Sequence, residues 1–336
     1  MREALLYEKF KNKNVRCLVC NHQCLISPRQ RGLCGVRENK NGKLFSLVYG
    51  KAVAVNLDPI EKKPFFHFLP GSHSLSIATV GCNLSCLHCQ NYDISQGPKE
   101  NGRILGEDLS PQDIVKLALK HKVPSISYTY TEPSIFIEYA LETMKLAKKQ
   151  GLKNNWVTNG YLTEKALKTI APYLDAANVD LKFFDNDLYW KICGAKLQPV
   201  LNTLKSLKKL KIWTEITTLL IPGYTDKNRQ LEKIAKFIKE ELGEETPWHI
   251  SGFYPCYKMT DVSPTSPELI HQAVKIGRKA GLEYVYAGNL PDDENENTYC
   301  PKCRTLVIQR RGYEIKRFDR NGLCPKCRKK TDLFLN

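Results

Sequence analysis

Gly81-Cys82-Asn83-Leu84-Ser85-Cys86-Leu87-His88-Cys89 is the stretch from which the rest of the chain can be read. It follows an apolar run of strand character at 74–80, so three cysteines spaced C-x3-C-x2-C fall on a loop at a strand's end. Three thiolates hold three irons of a cubane and leave the fourth iron open to a ligand, whereas an electron carrier normally supplies a fourth cysteine. By spacing alone, the same thiols completed by His88 or a distant group would also suit tetrahedral zinc. The loop position suits chemistry, because ligands gather at the C-terminal ends of strands in parallel β-α architectures.

Outward from this loop, short β-branched or aromatic runs at 74–80, 124–130, 154–158, 176–183, 212–219, 248–253 and 282–287 alternate with helical patterns. That alternation predicts stacked β-α units and a mainly parallel sheet. Helix signals punctuate it. Ser110-Pro111-Gln112-Asp113 combines an N-cap, a proline at N1 and an acid at N3, and a helix over 133–150 stops at Gly151. Six or so repeats fall short of the eight of a closed barrel, so the fold class is α/β with a partial (β/α)6-type barrel. The acidic, structure-breaking run Pro291-Asp292-Asp293-Glu294-Asn295-Glu296-Asn297 then separates a tail. The expected domains are an N-terminal cysteine-rich module (1–73), the barrel core (74–291) and a zinc-ribbon-like tail (292–336).

Two further cysteine sets flank the core. The tail carries Cys300-Pro301-Lys302-Cys303 and, after 20 residues, Cys324-Pro325-Lys326-Cys327. Two such knuckles around a hairpin-like run predict a zinc ribbon, since a closed four-thiolate zinc site stabilises a module too small for its own core. At the N-terminus, Cys17, Cys20, Cys24 and Cys34 supply four thiolates within 18 residues. Zinc and a second iron–sulfur cluster both accept four cysteines, and spacing leaves the two open.

Composition limits the remaining classes. The chain has 336 residues, 42% hydrophobic and 26% charged, which describes a soluble globular protein and excludes a disordered one. The N-terminal MREALLYEKFKNKN lacks a signal-peptide pattern, and no run approaches the roughly 18 apolar residues of a membrane span. A cytoplasmic location without membrane association is expected. There, thirteen cysteines point to metal ligation and not to disulfides. The net charge of +16 would attract phosphate, but lysine/glutamate-rich helical faces account for much of it, and nucleic acid is not the favoured partner.

With its C-x3-C-x2-C loop after the first strand, the chain resembles the radical S-adenosylmethionine (SAM) superfamily from about residue 74 to 290. Within it, the chain is similar to pyruvate formate-lyase activating enzymes. It is particularly similar to AmmeMemoRadiSam-system radical SAM enzymes, through the N-terminal cysteines, Lys63-Pro64-Phe65-Phe66-His67 and Cys89-Gln90-Asn91. The resemblance implies a [4Fe–4S] cluster on Cys82, Cys86 and Cys89. It also implies reductive cleavage of SAM to methionine and a 5'-deoxyadenosyl radical that takes hydrogen from a substrate.

A one-electron donor such as ferredoxin or flavodoxin is implied as a partner, with a protein substrate and AmmeMemoRadiSam-system proteins as further candidates. Modification of a small molecule or RNA is the alternative, and a non-catalytic zinc-ribbon adaptor a distant third. Glu132 matches the acid of the family's Gly-Gly-Glu-Pro segment, although Tyr130 and Thr131 replace its glycines. Thr158 and Asn159 match a T-N-G segment, and Asp180 and Lys182 an Asp-x-Lys; all five are candidates for SAM contacts. His249, Tyr254, Cys256, Gly288 and Asn289 are weaker candidates near the same strand ends.

Overall fold

The computed structural model describes residues 1–290 and 292–335. Pro291, at the start of the expected linker, lies outside the described residues. The core is an eight-stranded sheet of β1 (Ala54–Pro59), β2 (His73–Ala78), β3 (Ser125–Tyr128), β4 (Lys153–Thr158), β5 (Ala176–Asp180), β6 (Trp213–Leu220), β7 (Trp248–Gly252) and β8 (Val285–Gly288). The strands lie in strict chain order, and β2 to β8 are parallel. Six crossovers therefore step the same way round, and among the described residues β1 and β8 remain as unpaired edges: a partial barrel, as the alternation predicts.

The helices cover the outer face. They are α1 (Tyr92–Glu100), α2 (Pro111–Lys120), α3 (Ile137–Lys149), α4 (Glu164–Ile170), α5 (Leu197–Lys209), α6 (Asn228–Phe237) and α7 (Pro267–Lys279). Ser110 caps α2 by accepting from the Asp113 amide at 3.2 Å, with Pro111 at the first helical position. The helix expected over 133–150 opens instead as a 3-10 turn, Pro133–Phe136, before α3 begins. Its proline and the Glu132 side-chain cap favour that tighter first turn.

β1 is an addition to the expected set. It pairs antiparallel with β2, so the core sheet begins inside the segment expected to form the N-terminal module. Its Ala-Val-Asn-Leu-Asp-Pro sequence has little of the buried-strand character of β3, because an edge strand leaves residues such as Val55, Asn56 and Leu57 in solvent.

The segment after β1 plugs the barrel. The amides of Phe66, His67 and Phe68 all donate to the Glu215 carboxylate of β6 at 2.9–3.0 Å. His249 of β7 meets the same carboxylate at 2.7 Å, and Trp213 Nε1 donates to it at 3.0 Å. Phe66 packs edge-on to His249 and Tyr286. The tail closes over this plug: Arg310, fully buried, donates to Phe66 O at 2.7 Å, and Phe334 N donates to His67 O at 2.9 Å. It is a three-stranded antiparallel sheet fastened to the core. The first 46 residues add two small antiparallel sheets. They dock on the loop after β4, where Thr163 Oγ1 donates to Leu18 O at 2.6 Å and Asn21 Nδ2 to Leu162 O at 2.7 Å. Among the described residues, no helix is long and apolar enough to cross a membrane.

Candidate functional site

The strand ends converge on one cavity of about 640 Å³, whose wall includes Cys82, Cys86 and Cys89 together with Glu132, Thr158, Asn159, Asp180 and Lys182. His249, Gly288 and Asn289 also line it, whereas Tyr254 and Cys256 are not among its lining residues. The triad loop is pinned from outside by the turn that follows β5. Ser85 N donates to Cys193 O at 3.0 Å and Leu87 N to Ile192 O at 2.9 Å. Two thiols also brace it: Cys256 Sγ reaches His88 O at 3.4 Å, and Cys193 joins Cys86 and His88 in one buried group whose ligand atoms lie within 4.8 Å of one another. Cys193 belongs to no short-spaced cysteine set in the sequence, and only the chain's return brings it to this loop, whereas Cys256 was a weak candidate near the strand ends.

The triad thiols themselves are spread, with no 4.8 Å grouping of Cys82, Cys86 and Cys89. A mononuclear zinc with 2.3 Å bonds would draw its thiolates to about 3.8 Å. The spread fits several irons and their sulfides instead. His88 is buried beside them with neither ring nitrogen hydrogen-bonded, and burial, aided by Lys182, pushes its pKa down to about 3. Its ring faces the cavity.

Glu132 is buried and organises the neighbouring loops. Its oxygens accept from Thr158 Oγ1 at 2.8 Å, Asn159 N at 2.8 Å and Ser134 N at 3.0 Å. Burial pushes its carboxyl pKa upward, and the backbone amides of Asn159 and Ser134 counteract this. Asn159 in turn donates to Asn83 Oδ1 at 2.7 Å and stands 3.9 Å from the Cys82 thiol. The acid thus ties the ends of β3 and β4 to the triad loop. A Cβ on Gly160 would meet Val179 Cγ1 at 2.8 Å with φ at +69°, so this turn requires glycine.

Tyr130 resolves the departure from the family's glycines. It adopts φ +63°, the left-handed conformation that glycine takes freely. A non-glycine residue there costs about 1–2 kcal/mol, and Tyr130 has compensating contacts. Its hydroxyl donates to Asp58, Lys63 Nζ lies 4.0 Å over its ring, and its carbonyl accepts from Asn91 at 2.9 Å. The left-handed turn is formed here by a residue that carries a side chain.

Asp180 and Lys182 form an ion pair at 2.8 Å on the cavity wall. Lys63 is a cavity residue that sequence reading missed. It is buried against Asp58 at 2.7 Å, and burial outweighs that partner, lowering its ammonium pKa to about 8. Its only sequence signal was its place in Lys63-Pro64-Phe65-Phe66-His67, because Asp58 lies on the unrecognised β1.

The tail cysteines close tightly. Cys300 and Cys327 sulfurs are 3.5 Å apart, and Cys303 and Cys324 sulfurs 3.6 Å, near the edge length of a four-thiolate tetrahedron. The N-terminal Cys17, Cys20, Cys24 and Cys34 line a separate cavity.

A family model described as the radical SAM superfamily matches residues 76–238. The uncharacterized protein MJ0808 of Methanocaldococcus jannaschii is 44% identical over 338 residues, with 100% of both chains covered. This chain belongs to the radical SAM superfamily. The pyruvate formate-lyase-activating enzyme of Clostridium pasteurianum is 24% identical over 204 residues, covering 56% of this chain and 83% of that enzyme. Streptococcus suis SuiB bound to precursor peptide SuiA shares the fold at a TM-score of 0.51 and 13% identity, covering 69% of this chain and 52% of that one. Superfamily membership implies a [4Fe–4S] cluster and SAM, and the matched span contains the central triad, Glu132, Asn159 and Lys182.

Proposed function

We propose that this protein is a radical SAM enzyme in which Cys82, Cys86 and Cys89 hold the cluster, and Glu132, Thr158, Asn159, Asp180 and Lys182 form the SAM side of the cavity. The convergence of the triad and the Glu132–Thr158–Asn159 network on one cavity carries this reading. When bound, a [4Fe–4S] cluster with one iron free of protein ligands supplies a coordination site for SAM and the electron that breaks its sulfonium bond.

The chain's own residues fix and shield that place. Glu132 holds the β3 and β4 ends in register with the triad loop. The Asp180–Lys182 pair offers both charges to a zwitterionic amino acid group such as that of SAM. The Phe66–His67 plug, hung on Glu215, fills the barrel interior and puts Phe66 in the cavity wall. Electrons come from a soluble one-electron donor of the ferredoxin or flavodoxin class.

For the substrate we favour a protein segment, as in a glycyl-radical activase. The barrel is open along one side, and Gly312 and Tyr313 at the tip of the tail hairpin form part of the cavity wall, so the tail is placed to touch whatever enters. A small molecule is the second reading, supported by a cavity volume within the range of small-ligand sites.

The test is anaerobic reconstitution with SAM and a reductant, followed by assay for 5'-deoxyadenosine. Deuterium-labelled cell fractions of protein, RNA and small molecules are then supplied separately. Label arriving in 5'-deoxyadenosine from the protein fraction supports the activase reading; label only from the small-molecule or RNA fraction refutes it. No 5'-deoxyadenosine under any condition refutes the enzyme itself.

A further inference from the structure

We infer that Cys17, Cys20, Cys24 and Cys34 hold a second [4Fe–4S] cluster, and not zinc, in a cavity directly behind the central triad. The chain contains its own standards for the comparison. In the tail, four thiols have closed to sulfur–sulfur contacts of 3.5 and 3.6 Å, as one tetrahedral ion requires. At the centre, the three thiols of a superfamily cluster site remain spread. The N-terminal set behaves like the second case: all four cysteines line one cavity, yet no three of their sulfurs come within 4.8 Å of one another. Four thiolates standing this far apart need a polynuclear core between them, and a cubane accepts four cysteines.

The rest of the lining points to the same guest. Arg37 and Asn83 share this cavity with the cysteines, both are more than nine-tenths buried, and each leaves an N–H donor unpaired, at Arg37 Nε and Asn83 Nδ2. His22 Nε2, in the same wall, is also without a partner. Burying unpaired donors is costly, and they need an acceptor that is anionic and many-sided. A cubane on four thiolates carries net negative charge and presents inorganic sulfides as well as thiolate sulfurs to such donors. The other face of the Arg37 guanidinium is held by a buried ion pair to Glu138, with contacts of 2.5–3.1 Å, which fixes its orientation.

The two sites abut. Asn83 borders the N-terminal cavity while its neighbour Cys82 borders the central one. A Cβ on Gly81 would lie 2.9 Å from Cys34 O and 2.6 Å from Val36 Cγ1, so the two cysteine loops are in backbone contact.

The inference does not depend on the SAM reading of the central site, and metal counting separates the two. The full chain is reconstituted anaerobically, and iron, acid-labile sulfide and zinc are measured on the wild type and on the Cys82→Ala/Cys86→Ala/Cys89→Ala variant. Wild type should hold about eight irons and eight sulfides with about one zinc. The variant should keep about four irons and four sulfides, and adding Cys20→Ala and Cys34→Ala should remove them. A soluble central variant that carries no iron overturns the inference, and so does a Cys20→Ala/Cys34→Ala variant, with the central triad intact, that keeps the full wild-type iron and sulfide content. Where the central variant fails to fold, the Cys20→Ala/Cys34→Ala comparison decides.

Discussion

At the scale of single residues, the three central cysteines carry the sharpest expectation. Replacing Cys82, Cys86 or Cys89 by alanine should abolish 5'-deoxyadenosine formation while leaving tail zinc in place, because an incompletely held cubane cannot present its open iron. A single variant that cleaves SAM at the wild-type rate would refute the assignment. Tyr130 offers a subtler test, since its backbone takes the left-handed conformation that glycine takes freely while its side chain joins Asp58 and Lys63. Tyr130→Gly should retain SAM cleavage. Tyr130→Val should lose at least tenfold, because a β-branched residue resists the left-handed conformation. Equal activities for the two variants would show that the turn is not what matters. The triad and Glu132 were legible in sequence because their spacing and neighbours are local. The left-handed backbone of Tyr130 was not, because it depends on contacts to Asp58, Lys63 and Asn91, residues tens of positions away.

At the scale of elements, the plug between β1 and β2 hangs on Glu215, which collects three backbone amides, Trp213 and His249. Burial alone would raise its pKa, but the hydrogen bond and charge of His249, helped by His67 and the Phe66 amide, outweigh it and hold the carboxyl at about 2. Glu215→Ala strands these donors inside the barrel, and we expect a loss of about 3–5 kcal/mol, read as a lower midpoint in denaturant. A loss under about 1 kcal/mol would mean that water replaces the carboxylate.

His67 adds a pH dependence. Burial lowers its pKa from 6.5 to about 4, so the unfolded chain binds a proton before the folded one does. Stability is then complete above about pH 6.5 and falls as pH drops toward 4, by about 2 kcal/mol between pH 6.5 and 5. His67→Gln should reduce that slope without abolishing it, because burial lowers the His88 pKa as well; an unchanged slope would remove His67 as a contributor. The Glu215 contribution has the same sign but a lower window, being lost between about pH 4.5 and 2.

At the scale of the whole molecule, the tail belongs to the core structurally. Its four-cysteine site closes a three-stranded sheet whose Arg310 and Phe334 grip the plug. Stripping zinc from the full chain with a chelator should therefore lower the thermal midpoint of the barrel as well as that of the tail. Binding free energy is folding free energy in so small a module, and the plug loses its cover. An unchanged barrel transition after zinc loss would show the tail to be a passive appendage.

The sequence by itself determined the α/β class, the seven parallel strands, the central cysteine loop and the two flanking cysteine sets, because each is written in local periodicity or short spacing. It could not reveal β1, whose exposed edge blurs the pattern. Nor could it place Cys193 and Cys256 against the triad, the plug on Glu215, or the two cysteine loops back to back. Those arrangements join residues tens to hundreds of positions apart. Only the packing of the folded chain decided them, by requiring buried polar groups to find partners across the core.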